Sequence, residues 1–548
     1  MRPLKMAVAS VAVLLASLAL SDIQLGAAAT RSPHCGGPFP AVIDDGFPQA
    51  PMRFSQHGRL DTRLRMQLGT ATIAGEQYAG AMTYEGTFPG PTLVVCPGDH
   101  VKVRLENRLA KGQVTNLHVH GLHVSPRARH DNVYRHLSSG RSQTYTYDLP
   151  ADHEPGAYWY HPHHHMFVAP QIFAGLSGAI VVRGGLDEIL RDVPQRLMMI
   201  QSTELCARNG QSVAFPTSSP GGSGTEPCKH PSTVIPAKDT NERFTPLLVN
   251  GAIDPTVKIR PGQIQRWRIF NANDNRIVVL NLAGQDLQVL AEDGNTLRWM
   301  RPHKNLQIAP GSRREVLVRG GSPGAYKMTA LPFEQFPTGD HAIQDITNKG
   351  GGPTPGQTVL TVVSAGVPAQ DELPRGPFAS QPDLRARHVD RRRTICFNEH
   401  PLPKRHAAHG AIAAMDMPAM TVRADGGSCK TPSEDKSGRA TEFLINNKAF
   451  DPSHIAVTMK LDAVEEWTLV NANTEWHTFH IHVNPFQVIR VEGKRVPYVD
   501  YEDNVALPPR SKVVIRMNPT DFTGKFVIHC HVANHEDRGM MAAVRIVR

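Results

Sequence analysis

The chain has 548 residues, a formal net charge of +9, 45 glycines and 44 prolines, with only 6% aromatic residues. That length exceeds one ordinary domain and predicts two to four. The frequent turn formers and the lack of long amphipathic heptads exclude a helical rod and favour many short strands. The positive charge is scattered apart from RARHVDRRR (385–393), which reads as a solvated linker, so a nucleic-acid binder is not expected.

The N-terminal stretch carries Arg2 and Lys5, an apolar run from Met6 to Leu20, and small residues at Gly26-Ala27-Ala28-Ala29. This is the pattern of a secretory signal over residues 1–29, cleaved after Ala29. The apolar run is short for a stable span, and no other segment is long and apolar enough to cross a bilayer. No stable membrane span is therefore expected after cleavage. The expectation is export, to the periplasm or the extracellular space, by a Sec-type route, since no twin-arginine pair is present. Removal of Arg2, Lys5 and Asp22 would leave a charge of +8.

One unit then recurs three times. FPGPTLVVCPGDHVKVRLENRL (88–109) is the faintest copy, LLVNGAIDPTVKIRPGQIQRWRIFNAN lies near position 260, and FLINNKAFDPSHIAVTMKLDAVEEWTLVNAN lies near position 460. Pro97-Gly98 matches Pro261-Gly262, Trp267 matches Trp467, and Asn107 and Asn271 correspond, as do the Asn-Ala-Asn runs ending at Asn273 and Asn473. Alternation such as Val101-Lys-Val-Arg-Leu-Glu106 is the pattern of half-buried strands, expected here in antiparallel sandwiches. We expect three homologous domains, at 30–185, 186–365 and 366–548, interrupted by polar loops at 208–242, 335–357 and 370–393.

Four His-x-His pairs run through the chain: His118/His120 in LHVHG, His161/His163 in YWYHPHHH, His480/His482 in HTFHIH, and His529/His531 in IHCH. Residues two apart on a strand project from one face, so each pair presents two imidazoles in one direction. Two pairs lie in copy one, two in copy three and none in copy two. Eight imidazoles would converge where the first and third domains meet, enough for three metal ions with room for a small molecule. The middle domain would act as spacer and brace.

Parity sorts the remaining ligands into a second site. Cys530 lies between His529 and His531 and must face the other way; His477, an odd number of residues before His480, also faces away from its pair. With His535 and Met540, five and ten residues beyond Cys530, these form the two-imidazole, thiolate and weak thioether set of a blue-copper centre. Structural zinc sites close with four Cys/His ligands and do not call for Met, so copper is the better fit. The other cysteines, Cys35, Cys96, Cys206, Cys228, Cys396 and Cys429, suffice for three disulfides in an oxidising compartment, with Cys206–Cys228 and Cys396–Cys429 as the local pairs.

With the motifs HVHG, YHPH, HTFHIH and HCHVANHEDRGM in this order, the mature chain resembles the multicopper oxidases, a family that includes laccases, cuprous oxidases and bilirubin oxidase. The resemblance implies an all-β fold of three cupredoxin-like Greek-key sandwiches and four coppers per chain. By that resemblance His118 and His480 hold the type 2 copper, and His120, His161, His163, His482, His529 and His531 hold the type 3 pair. His477, Cys530 and His535 bind the type 1 copper with Met540 axial; Met541 is the rival, and His164 and His165 are taken as non-ligands. Asp131 resembles the family's acidic proton donor, although NVYRHLSSGRSQ after it departs from the usual Thr-Gln stretch. Glu536 is similar to a carboxylate of bacterial members.

The activity implied is one-electron oxidation of a small-molecule reductant, coupled to four-electron reduction of dioxygen to water. The first expectation is laccase-like, acting on phenols or aryl amines. The alternative is a cuprous-ion oxidase in copper tolerance, for which His406, His409, Met415, Met417 and Met420 in HAAHGAIAAMDMPAM offer Cu(I) ligands. A non-enzymatic copper-binding or copper-storage envelope protein is the remoter alternative. The sequence specifies no oligomeric state.

Overall fold

The computed structural model describes residues 39–73, 75–203, 205–208, 211–214, 246–336, 354, 356–401, 429 and 441–548. The secretory-signal segment, the 406–420 segment and Cys228 lie outside the described residues, as does the side chain of Cys206.

Three pairs of sheets follow one another along the chain. In the first, Met52–Phe54, Gly90–Val95, Gly178–Val182, Gly156–His161 and His118–His120 form one sheet. The facing sheet is built on Glu76–Tyr84, Arg59–Ile73, His100–Arg108 and Ser142–Asp148. The middle pair is centred on Ile264–Asn271 beside Arg313–Arg319, and on Gly324–Ala330 beside Val278–Leu282. The last pair is centred on Glu465–Asn471 beside Lys512–Met517, and on Gly524–Cys530 beside His477–Ile481. Each pair encloses its own apolar core.

The pairing is mixed where antiparallel sandwiches were expected. Arg59–Ile73 runs parallel to His100–Arg108, Gln195–Ser202 to Ile264–Asn271, and Arg391–Pro401 to Glu465–Asn471. In every copy the intervening chain crosses to the other sheet before returning, which parallel pairing requires. The hairpin Leu205–Arg208 and Gln211–Ala214, although it follows Gln195–Ser202 of the middle unit, joins the outer sheet of the first through Val213 and Ala79.

The repeated residues repeat their contacts. Asn107 and Asn271 each use the side-chain amide to donate to two carbonyls, those of Gln113 and Leu137 and of Arg276 and Ile308, and Asn471 donates likewise to those of Glu475 and Leu507 and also to Pro508 O. In each case Oδ1 accepts the N–H two residues on, so one side chain ties a strand end to the neighbouring loop. Trp267 and Trp467 are fully buried, and each indole N–H reaches the residue two before it, Gln265 or Glu465.

The linker reading of 385–393 needs correction at its end. Arg391, Arg392 and Arg393 open a strand; Arg392 pairs with Glu466, directly opposite it on the parallel partner, and Arg393 reaches Glu465, which lies opposite Arg391. Cys396 and Cys429 form a disulfide, as the local spacing suggested. Cys96 is disulfide-bonded too, and the free cysteine among the described residues is the buried Cys530.

A buried ion network ties the short helix Leu186–Ile189 to the middle sandwich. Asp187, on the short helix Leu186–Ile189, reaches Arg266 at 2.6 Å and also Arg268, while Glu315 pairs with the same two arginines. Two positive and two negative charges balance out of water. Asp187→Ala leaves an arginine uncompensated, and should cost about 3 kcal/mol. The expected outcome is a thermal midpoint several degrees lower in a melting experiment, and an unchanged midpoint would contradict the account.

Candidate metal centre

The histidine pairs are positioned by strand register. His118–His120 pairs antiparallel with Gly156–His161 so that His161 faces His118. His477–Ile481 pairs antiparallel with Gly524–Cys530 so that His480 faces His529 and Phe479 faces Cys530. Directly opposed residues share a face of the sheet. His480 and His529 therefore project to one side, and Cys530 projects to the other with His477, which lies two residues from Phe479.

The first and third units then meet imidazole on imidazole. His118 stacks on His482 at 3.9 Å between ring centroids, and His120 stacks on His480 at 3.8 Å. The Nε2 atoms of His163, His482 and His529 lie 3.1 to 3.3 Å apart, and His531 Nε2 lies 3.2 Å from His120 Nδ1. All eight imidazoles of the four pairs are buried within this one cluster.

Several of these rings have one nitrogen held and the other bare. His118 Nδ1 contacts the Asp131 carboxylate at 2.9 and 3.0 Å, His161 Nδ1 donates to Pro162 O at 2.8 Å, and His480 Nδ1 donates to Asp503 O at 2.7 Å. The Nε2 atoms of the same three rings are buried without a hydrogen-bond partner. A buried imidazole nitrogen left this way is costly unless something binds it, and an outer acceptor that fixes the tautomer is how proteins orient metal-binding histidine. Burial, and then the neighbouring imidazoles, hold the pKa of His118, His161, His482 and His531 well below the ordinary value. The rings are neutral, as a ligand must be.

On the opposite face, Cys530 Sγ lies 3.6 Å from His477 Nδ1 and 3.8 Å from His535 Nδ1, and those two nitrogens are 3.1 Å apart. Burial pushes the Cys530 thiol up to about 12, opposed by the N–H groups of Thr478 and Val532; a bound cation reverses that balance and favours thiolate. His535 sits on the short helix Ala533–Asp537, its ring stacked on Phe443 at 4.0 Å. Met540 is buried in the same apolar cluster as Cys530 and hydrogen-bonds through its backbone to both Cys530 and His535. Met541 points instead into a separate cluster with Val133 and Val527. His164 and His165 lie outside both groupings.

The two carboxylates singled out in the sequence are interior. Asp131 is 2% exposed and Glu536 1%, so neither is a surface acid. Glu536 Oε1 lies 3.3 Å from His163 Nδ1 and Oε2 3.0 Å from His529 Nδ1. Burial raises Asp131 to about 8, against the Val119 N–H, and raises Glu536 to about 7, against His163 and His480. Sequence reasoning missed two further carboxylates. Asp503 contacts His120 and His480, and Glu475 Oε1 lies 3.8 Å from His477 Nε2 and 3.6 Å from His535 Nε2. Only the position of Glu475, two residues before a ligand candidate, offered a signal; Asp503 stands in a segment without a motif.

Family models described as multicopper oxidase match residues 65–186, 222–348 and 421–548. The chain belongs to the multicopper oxidase family. The oxidase is thus a copper-dependent enzyme with dioxygen as acceptor, and its three sandwiches are cupredoxin-like. It is 23% identical over 528 residues to a multicopper oxidase of Staphylococcus aureus, covering 93% of this chain and 92% of that one. It is 30% identical over 309 residues to the cell division protein FtsP of Sodalis glossinidius, covering 55% of this chain and 57% of that one. Among solved structures it resembles a bacterial laccase-like multi-copper oxidase, CueO, from Ochrobactrum sp., with a TM-score of 0.66 and 24% identity over 91% of this chain and all of that one. No helix among the described residues is long and apolar enough to cross a membrane.

Because buried imidazole nitrogens await a partner, copper should raise the thermal midpoint of the oxidase, by linkage. His482 belongs to two of the three-histidine groupings. In a melting series with and without copper, His482→Ala should lose most of that gain, and a full gain would contradict the cluster as a metal site.

Proposed function

We propose that the oxidase couples one-electron oxidation of phenols or aryl amines at a type 1 copper to reduction of dioxygen to water at a trinuclear copper cluster. Four coppers per chain are assigned: type 1 at His477, Cys530, His535 and Met540, type 2 at His118 and His480, and the type 3 pair at His120, His161, His163, His482, His529 and His531. The observation that carries the reading is the approach of Cys530 Sγ to both His477 Nδ1 and His535 Nδ1, on the reverse of the strand that presents His529. When bound, the coppers supply one-electron acceptance from the donor and four-electron delivery to dioxygen. Export, read from residues 1–29, is the proposed setting.

The residues of the chain do the rest. Cys530 carries an electron through its backbone to its neighbours His529 and His531. The surrounding apolar residues, Phe443 and Phe397 among them, keep water from the sulfur. Reduction to water consumes protons, and Asp131 at His118 Nδ1, with Glu536 at His163 and His529, supplies buried carboxyl groups at two sides of the cluster. Met540 rather than Met541 would supply the thioether ligand, a reading supported by its packing with Cys530.

Cuprous ion is the second reading of the donor. It is favoured by Glu475, a buried carboxylate beside the Nε2 edges of both His477 and His535, where a small cation would be attracted. The resemblance to a cell division protein over about half the chain does not favour a non-enzymatic role, since every ligand position is filled here.

Cys530→Ser should abolish the blue absorption and the oxygen uptake together while leaving far-ultraviolet circular dichroism unchanged. Asp131→Asn should retain the blue absorption and lower kcat by about 10²-fold or more; undiminished kcat would remove Asp131 from proton delivery. Glu475→Gln, assayed with a phenol and with Cu(I), separates the donors. Loss confined to Cu(I) oxidation selects the metal-oxidase reading, whereas unchanged Cu(I) kinetics with fast phenol turnover selects the laccase-like one.

A further inference from the structure

The middle sandwich supplies none of the proposed ligands, yet one of its side chains stands at the cluster. Arg313 is fully buried at the start of the strand Arg313–Arg319, and its guanidinium touches all three sandwiches. Nη1 and Nη2 donate to Asp503 Oδ1 and Oδ2 of the third at 2.8 and 2.6 Å, a two-pronged pair. Nε donates to Ala157 O at 3.0 Å, on the strand of the first that ends in His161, and Nη1 also donates to Gly311 O of its own loop at 3.2 Å.

Asp503 passes this anchorage on to two imidazoles. Its carbonyl accepts from His480 Nδ1 at 2.7 Å, and its Oδ1 lies 3.1 Å from His120 Nε2. By distance alone Asp503 groups with His120 and His480 as a third ligand. Both of its oxygens are committed to Arg313, however, and its contact with His480 is at Nδ1, away from the bare Nε2. That is the arrangement of an orienting group.

Neighbouring glycines make room for the pair. Gly121, which ends the HVHG motif, has φ of +83°, and a Cβ there would overlap Arg313 Nη2 and lie 2.5 Å from Asp503 Oδ2. A Cβ on Gly311 would lie 2.8 Å from His531 Nε2, so the middle sandwich packs its loop directly on a cluster histidine. The repeat shows that this is a departure of one copy. The backbone bonds Asn107 N to Arg141 O, Asn271 N to Ser312 O and Asn471 N to Ser511 O are equivalent, which aligns Ser142, Arg313 and Lys512. Ser142 and Lys512 are exposed; only in the copy without ligands does the residue turn inward as a buried arginine.

We propose that Arg313, acting through Asp503, is a positioning residue for the trinuclear cluster, holding His480 in the orientation that type 2 copper binding requires, with the type 3 ligand His120 fixed beside it. The proposal rests on the ligand assignment above. It makes the middle sandwich the part of the oxidase that sets the geometry of a site it does not ligate. An arginine is needed because lysine offers no planar fork to a carboxylate and cannot also reach Ala157.

The test uses full-length, copper-loaded protein carrying Arg313→Lys, Arg313→Met, or, as a control for damage from a broken buried ion pair elsewhere, Asp187→Ala. The readouts are the electron paramagnetic resonance signals of type 1 and type 2 copper, bound copper per chain, and the KM for dioxygen against kcat. Outer partners of metal-binding histidine typically govern affinity by about 10–100-fold. Both Arg313 variants should therefore bind type 2 copper about 10–100-fold more weakly or show an altered type 2 signal, with the blue type 1 absorption intact, while Asp187→Ala keeps both signals. An unchanged type 2 signal and copper content in both Arg313 variants overturns the proposal. So does loss of type 1 and type 2 copper to the same degree, or a type 2 loss equal to that of Asp187→Ala. A wild-type protein with no type 2 signal refutes the ligand assignment itself, and the proposal with it.

Discussion

Everything at the metal centre depends on one register, the antiparallel pairing that sets His480 opposite His529 and Phe479 opposite Cys530. Because side chains alternate across a strand, adjacent residues 529 and 530 are sent to different sites, and a shift of one residue would exchange them. The same alternation sends His477 to the sulfur and His480 to the histidine cluster. Two sites of different chemistry are thereby placed back to back across a single sheet. The short helix Ala533–Asp537 repeats the division at its own scale, directing His535 to one site and Glu536 to the other.

Burial gives the arrangement its chemistry. Burial and the neighbouring imidazoles hold His118, His161, His482 and His531 well below the ordinary imidazole range, because each charged form would face both desolvation and its neighbours. The same low-dielectric surroundings raise Asp131 and Glu536, so that carboxyl groups able to hold a proton near neutral pH lie against the cluster. Such a centre has to be closed by contacts between sandwiches. Asp537 of the third accepts the N–H groups of Val168 and Ala169 at a helix of the first, and Arg313 of the second reaches both.

Much of this was legible in the sequence because period-two alternation is local information. The four His-x-His pairs, the opposed Cys530 and His477, and the threefold repeat could be read from spacing alone, and the sheets carry them as that spacing requires. The parallel strand pairs were not legible, since crossing connections leave no mark on the alternation within a strand. Neither were Asp503, Arg313 and Glu475, whose importance lies in partners up to hundreds of residues away. Asp131 and Glu536 stood between these cases: the family resemblance pointed to them, and their burial distinguishes them from surface acids.

The central claim is that two copper sites, one of them trinuclear, are built on the two faces of this junction. Copper content measured together with the visible spectrum of the fully loaded protein addresses it most directly. The account predicts about four coppers per chain and the intense blue absorption of a copper–thiolate centre. Substantially fewer coppers, or full loading without the blue band, would contradict it.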